Sequence, residues 1–224
     1  MNRSFTWVEY TVLSSFVHLV AVAPIHRNEA VHAVAVATRQ IGIAAIQAGD
    51  NEVTELCIRF FNTYLRAALN QSAPTFASVT MNEYRRLAIG ALESRPDLAV
   101  EVGESLLRYG RQFEDAGMPA ILGGGAEDVA DLAIEAASRN PEVTRRLALL
   151  VVSNLLDLIP KARPIGFNGL FKAVAKFALW AIATDQGEVA NILVEGIAAA
   201  PAAFRRSSAR PDGSGAKRIV LGGQ

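Results

Sequence analysis

The sequence predicts an all-α protein: a right-handed solenoid of about four helical hairpins, each close to 45 residues long, behind an N-terminal capping helix. Three observations predict it. A six-residue apolar motif recurs at Ile41 to Ile46, Leu87 to Leu92, Leu132 to Ala137 and Phe177 to Ile182, in steps of 46, 45 and 45 residues, and such self-similarity marks repeat architectures. After each copy a polar turn leads to an apolar residue opening a second helix: Val53, Leu98, Val143 and Val189, at offsets of 12, 11, 11 and 12 from the motif's start. The apolar–polar alternation of a half-buried strand is absent, and Ala-rich helical spacing runs throughout.

Taken in order, residues 5–25 are the most apolar stretch, near the roughly 20 residues a spanning helix needs. Glu9 and His18 interrupt it, and a carboxylate in hydrocarbon is costly. The expectation is therefore a capping helix with Trp7, Val8, Leu13, Phe16, Val17 and Val20 on its packed side, in preference to a membrane span or a secretory signal. Repeats follow over about 26–72, 73–117, 118–160 and 161–201, all within one domain, 1–201. First helices are expected at about 28–48, 80–94, 126–139 and 168–184, and second helices at about 51–70, 96–115, 141–158 and 187–200. The turns between them, Gly49-Asp50-Asn51, Arg95-Pro96-Asp97, Asn140-Pro141 and Asp185-Gln186-Gly187, carry cap and breaker chemistry. Gly42, Ala88, Ala133 and Ala178, with Ala45, Ala91, Ala136 and Ala181 three residues on, are small enough to let a partner helix approach. The links 71–79, 116–125 and 159–167 hold Pro, Gly or Ser clusters, and Gly123-Gly124-Gly125 reads as a flexible joint. Residues 202–224 read as a basic, disordered tail rich in Ser, Gly and Ala.

The hairpins and their period resemble the HEAT and armadillo repeats, over about residues 28–200 and in those two features alone. The resemblance implies stacked hairpins presenting an extended surface. A compact multi-helix bundle would keep the same hairpins without stacking them.

Twenty-two Lys and Arg against 22 Asp and Glu leave no net charge, so no overall field draws the molecule to nucleic acid or anionic lipid. Along the chain the balance is uneven. Residues 93–135 hold ten acids against Arg95, Arg108 and Arg111, whereas 139–176 hold seven bases against Glu142 and Asp157. The tail adds Arg205, Arg206, Arg210, Lys217 and Arg218 against Asp212. The plain reading is solvated outer helix faces. Two sharper ones are pairing of the acidic middle with a basic end of another molecule, and anion binding through Lys172, Lys176, Arg205 and Arg206.

Catalytic chemistry has little to work with. His18, His26 and His32 are not at metal-ligand spacing, and Cys57 lies among apolar residues at helical spacing, as an inert buried thiol does. Asp128, Asp131 and Glu135 are helix neighbours that read as a solvated face before an acid/base pair. Gly123 to Gly125 lack the lysine of a phosphate loop, and Glu127 and Asp128 would repel phosphate. Phe167, Phe171 and Trp180 beside Lys172 and Lys176 imitate a single-strand platform, but rings so spaced usually pack between hairpins. The expectation is a non-catalytic, cytoplasmic interaction scaffold without cofactor or metal, binding a protein partner or another copy through a concave face of second helices. The residues expected there are Arg59, Tyr64, Arg66, Glu101, Glu104, Arg108, Arg111, Arg145, Arg146 and Asn154. The alternatives are an anion-binding or nucleic-acid module using the basic fourth repeat and tail, with nucleic acid the weaker expectation, or the soluble part of a larger membrane-associated protein, contacting membrane only through 5–25.

Overall fold

A computed structural model describes residues 28–158 and 164–208. The expected cap at 5–25 and the tail beyond Ser208 lie outside the described residues. Among those described, eight helices succeed one another: α1 (Asn28–Ala48), α2 (Asn51–Asn70), α3 (Pro74–Ala91), α4 (Pro96–Asp115), α5 (Ala120–Ala136), α6 (Pro141–Leu158), α7 (Pro164–Ala183) and α8 (Gly187–Ser208).

Local chemistry sets the helix ends. Gly49 closes α1 at φ 73°, a left-handed conformation that glycine adopts without Cβ strain. Asp50 caps α2 by accepting the Val53 N–H at 3.0 Å, and Asn140 does the same for Val143 at 3.3 Å before α6, each satisfying a donor the helix leaves open. Glu52, Asp97, Glu142 and Glu188 stand one residue before the apolar opener of each second helix, where a negative charge complements the helix dipole.

Second helices and α1 begin where the sequence places them, but α3, α5 and α7 begin earlier. Pro74 and Pro164 stand at the first position of α3 and α7, where the ring's fixed φ suits a helix and its missing N–H is not needed. Two links read as loops are thus helix starts. Gly123, Gly124 and Gly125 are interior to α5 rather than a joint. A Cβ on Gly123 would lie 2.9 Å from the backbone of Gly169 in α7, and one on Gly125 would lie 3.1 Å from the Leu106 carbonyl in α4. The absent side chains let backbones touch. At the other end α8 runs through Pro201 to Ser208, beyond the expected stop near residue 200.

Every substantial helix–helix contact joins elements one or two apart in the chain. First helices α1, α3, α5 and α7 form one layer, and second helices α2, α4, α6 and α8 the other. A compact bundle would return late helices onto early ones; the solenoid reading holds. The core between the layers holds Phe60, Phe61, Tyr84, Leu87, Leu106, Phe113, Leu122, Leu147 and Phe177, all buried, and Phe61 stacks on Tyr84 at 4.9 Å between ring centres. The small residues of the motif are buried as expected: Ala45, Ala88, Ala91, Ala133, Ala136, Ala178 and Ala181.

Candidate functional site

The second-helix layer carries most of the residues expected to meet a partner. On α4, Glu101, Glu104, Arg108 and Arg111 follow the spacing of one helix face. Glu101, Glu104 and Arg108 are exposed there, as are Arg59 and Arg66 on α2.

Several of these charges cross-link neighbouring helices. Arg108 donates to Ser105 Oγ at 3.2 Å and reaches Asn62 Oδ1 of α2 at 3.5 Å, with its guanidinium 5.4 Å from the Tyr109 ring centre. The Tyr109 hydroxyl donates to the Asn62 carbonyl at 2.9 Å. Arg111 of α4 faces Asp157 of α6 at 3.6 Å. Arg146 of α6 donates to Asp97 of α4 at 2.6 Å. Arg145 holds Glu142 on its own helix at 2.9 Å and Glu188 of α8 at 3.7 Å. That hydrogen bond raises the Arg145 pKa and lowers that of Glu142.

Two expected contact residues point inward. Tyr64 is buried between Phe60, at 4.2 Å, and Phe76, at 4.9 Å, and burial raises its phenol pKa. Asn154 is buried, its amide donating to the Leu150 carbonyl at 2.9 Å. Both sit where the helix turns toward the core, and polarity alone misplaced them on the surface.

At the basic end Lys172 is exposed, while Lys176 donates to Asp131 of α5 at 3.1 Å. Arg205 and Arg206 fall in the last turn of α8, beyond the described side chains. Phe167 stacks on Phe171, and Phe177 lies tilted against Trp180 at 5.7 Å between ring centres.

The sequence reading missed a ladder of charges on the first-helix layer. Arg39 of α1 pairs with Glu83 of α3 at 3.0 Å, and Arg85 of α3 pairs with Asp128 of α5 at 3.0 Å. These are equivalent rungs: each arginine stands two residues before its motif, and each acid four before the next. The repeat alignment therefore contained the signal. Asp131 extends the ladder, with Arg85 at 3.9 Å and Lys176 at 3.1 Å, so Asp128 and Asp131 bind units together rather than forming a solvated face. Burial pushes the Asp128 carboxyl up to about 6, against the pull of the Arg85 guanidinium and with the push of Asp131. In the third unit the rung is replaced by apolar residues, Ala130 and Ala173.

Other chemistry is sparse. Burial pushes the Cys57 thiol up to about 12, leaving it protonated and unreactive near neutrality. Among the described residues no three His, Cys, Asp or Glu are grouped to hold a metal ion. An open cleft of about 450 Å³ is lined by Arg111, Glu114, Asp115, Asp157 and Leu158. Gly166 packs against the Glu114 carboxylate there. Among the described residues one helix is long and apolar enough to cross a membrane by length and composition, Ile165–Ala183 in α7.

No protein-family model and no curated protein matches the chain. A solved structure does, a circular tandem repeat protein with novel repeat topology and enhanced subunit contact surfaces, at a TM-score of 0.59 and 18% identity. The match covers 89% of this chain and 53% of the other, so the chain spans about half that structure's length. This protein is an α-helical tandem-repeat solenoid. At that identity the likeness concerns the fold, and it supports the helical-repeat class without singling out HEAT or armadillo.

Proposed function

We propose that the protein is a non-catalytic, cytoplasmic interaction scaffold that binds an extended protein partner along its second-helix surface. The observation carrying this reading is the division of labour among the charges of that layer. Arg108, Arg111, Arg145 and Arg146 brace neighbouring helices. Arg59, Arg66, Glu101 and Glu104 are exposed and carry no ion pair among the described residues. A braced framework loses little backbone entropy on binding, and its uncommitted charges of both signs select partners by charge pattern. Repeat solenoids in general present such surfaces.

The test is affinity capture of partners from cell extract, comparing wild type with Arg59→Glu/Arg66→Glu and with Glu101→Lys/Glu104→Lys. Loss of the captured partner, with circular dichroism and melting unchanged, is the expected result. Retention of the same partners by both variants would refute the surface. Reversal of Arg145 and Arg146 is the poorer test, because it also breaks the bracing to α4 and α8.

A further inference from the structure

The last unit leaves open a face that its counterparts cover. Ile43 of α1, Ile89 of α3, Ile134 of α5 and Leu179 of α7 are equivalent, each two residues into the motif after its first. The first three are partly buried against the core. Ile43 rests on the next unit's Gly90, where a Cβ would lie only 2.8 Å from its Cγ1. Leu179, by contrast, is 68% exposed. Two further positions repeat the pattern. Ile46 and Leu92 are 4% and 1% exposed, but their equivalent Ile182 is 58% exposed. Ala35, Met81 and Ala126 are buried, but their equivalent Phe171 is 36% exposed.

Phe171, Leu179 and Ile182 thus form the leading half of a unit–unit interface. Inside the chain, the other half is the first helix of the following unit where Ile43 meets Gly90 and where Met81 meets Gly125. The first helix with no preceding hairpin among the described residues is α1. Its Ala44 stands where Gly90 receives Ile43, and its Ala37 stands where Glu83, Asp128 and Ala173 sit at least partly buried; both alanines are exposed. Large apolar side chains on one helix and small ones on the other are what ridge-into-groove packing needs. Lys172 and Lys176, carried on the same helix, oppose sinking this face into lipid.

We propose that a second copy of the chain covers this face: α7 of one copy seats on α1 of the next, continuing the stack head to tail. The interface is heterologous, so each copy contributes a different end. The proposal deepens the scaffold reading, since a longer array multiplies the partner surface. It fails separately, because the residues below lie on the first helices α1 and α7, whereas Arg59, Arg66, Glu101 and Glu104 lie on second helices.

The experiment is light scattering of the full chain from about 1 to about 100 μM, a range bracketing modest affinities. It compares wild type, Leu179→Glu/Ile182→Glu and Ala37→Glu/Ala44→Glu, with circular dichroism confirming that each variant folds. Wild type is expected to rise from 23.9 kDa to at least twice that mass. Each variant is expected to stay monomeric. Mixed in equal amounts, the two variants are expected to form a 1:1 pair and nothing larger, since one intact α7 face then meets one intact α1 face. A wild type monomeric throughout would overturn the proposal, as would a wild type that assembles only after removal of residues 1–25 or 209–224, which would assign one end to the chain's own termini. Assembly blocked by the α7 variant but not by the α1 variant would assign a symmetric α7–α7 contact instead. Monomers that float with phosphatidylcholine vesicles would assign the face to a membrane.

Discussion

Asp128 holds its charge in a place that resists it. Its ion pair with Arg85 joins α3 to α5, yet burial raises its carboxyl from the ordinary 3.8 to about 6. The folded state therefore binds a proton more tightly than the unfolded one between those two values, and linkage makes stability fall as pH rises across that interval. Relative to an Asp128→Asn variant, wild type is expected to lose stability from pH about 4 to about 6, by up to about 3 kcal/mol, and to change no further above it. Urea titrations of both proteins at several pH values check this, and a difference that does not vary with pH would refute the buried-charge account. Sequence spacing placed Asp128 beside Asp131 on one helix face. That Arg85 comes from the preceding unit is a tertiary fact.

At the scale of helices, the sequence was most legible where turn chemistry is strong. Asp50, Pro96, Asn140 and Gly187 mark second-helix starts, and the ends of those helices agree with the expectation except in α8. It was least legible at the starts of α3, α5 and α7. Pro74 and the triple glycine of α5 carry breaker signals in sequence, but a proline serves a first turn and glycines serve close packing. Two glycines, Gly169 of α7 and Gly124 of α5, make opposite predictions. Gly169→Ala puts a Cβ 2.8 Å from the Gly123 Cα, and such backbone overlap is expected to destabilise by about 1–3 kcal/mol. Gly124→Ala meets no atom within 4 Å and is expected to stabilise by up to about 1 kcal/mol through helix propensity. Thermal melts of the two variants distinguish close helix approach from mere tolerance of glycine. Equal and opposite shifts are not required, but destabilisation by both would refute the distinction.

Across the described residues, every substantial contact joins helices one or two apart in the chain, so stability is a chain of unit–unit terms. The Arg146–Asp97 pair is one such link between the second and third units. Both side chains are substantially exposed, so either reversal, Arg146→Asp or Asp97→Arg, is expected to destabilise by no more than about 1 kcal/mol. The swap of both should restore most of that loss, and a double-mutant cycle reading no coupling would remove the pair from the bracing. By itself the sequence determined the period, the hairpin, the small-residue face and the second-helix boundaries, because helical periodicity and cap chemistry act over a few residues. Tertiary structure alone decided which polar residues face inward, as Tyr64 and Asn154 do, and which charges of the second-helix layer are committed to bracing. It alone decided that α5 and α7 touch through backbone and that Leu179 and Ile182 are left open. These depend on how one hairpin lies on the next, and a lone hairpin does not carry that information.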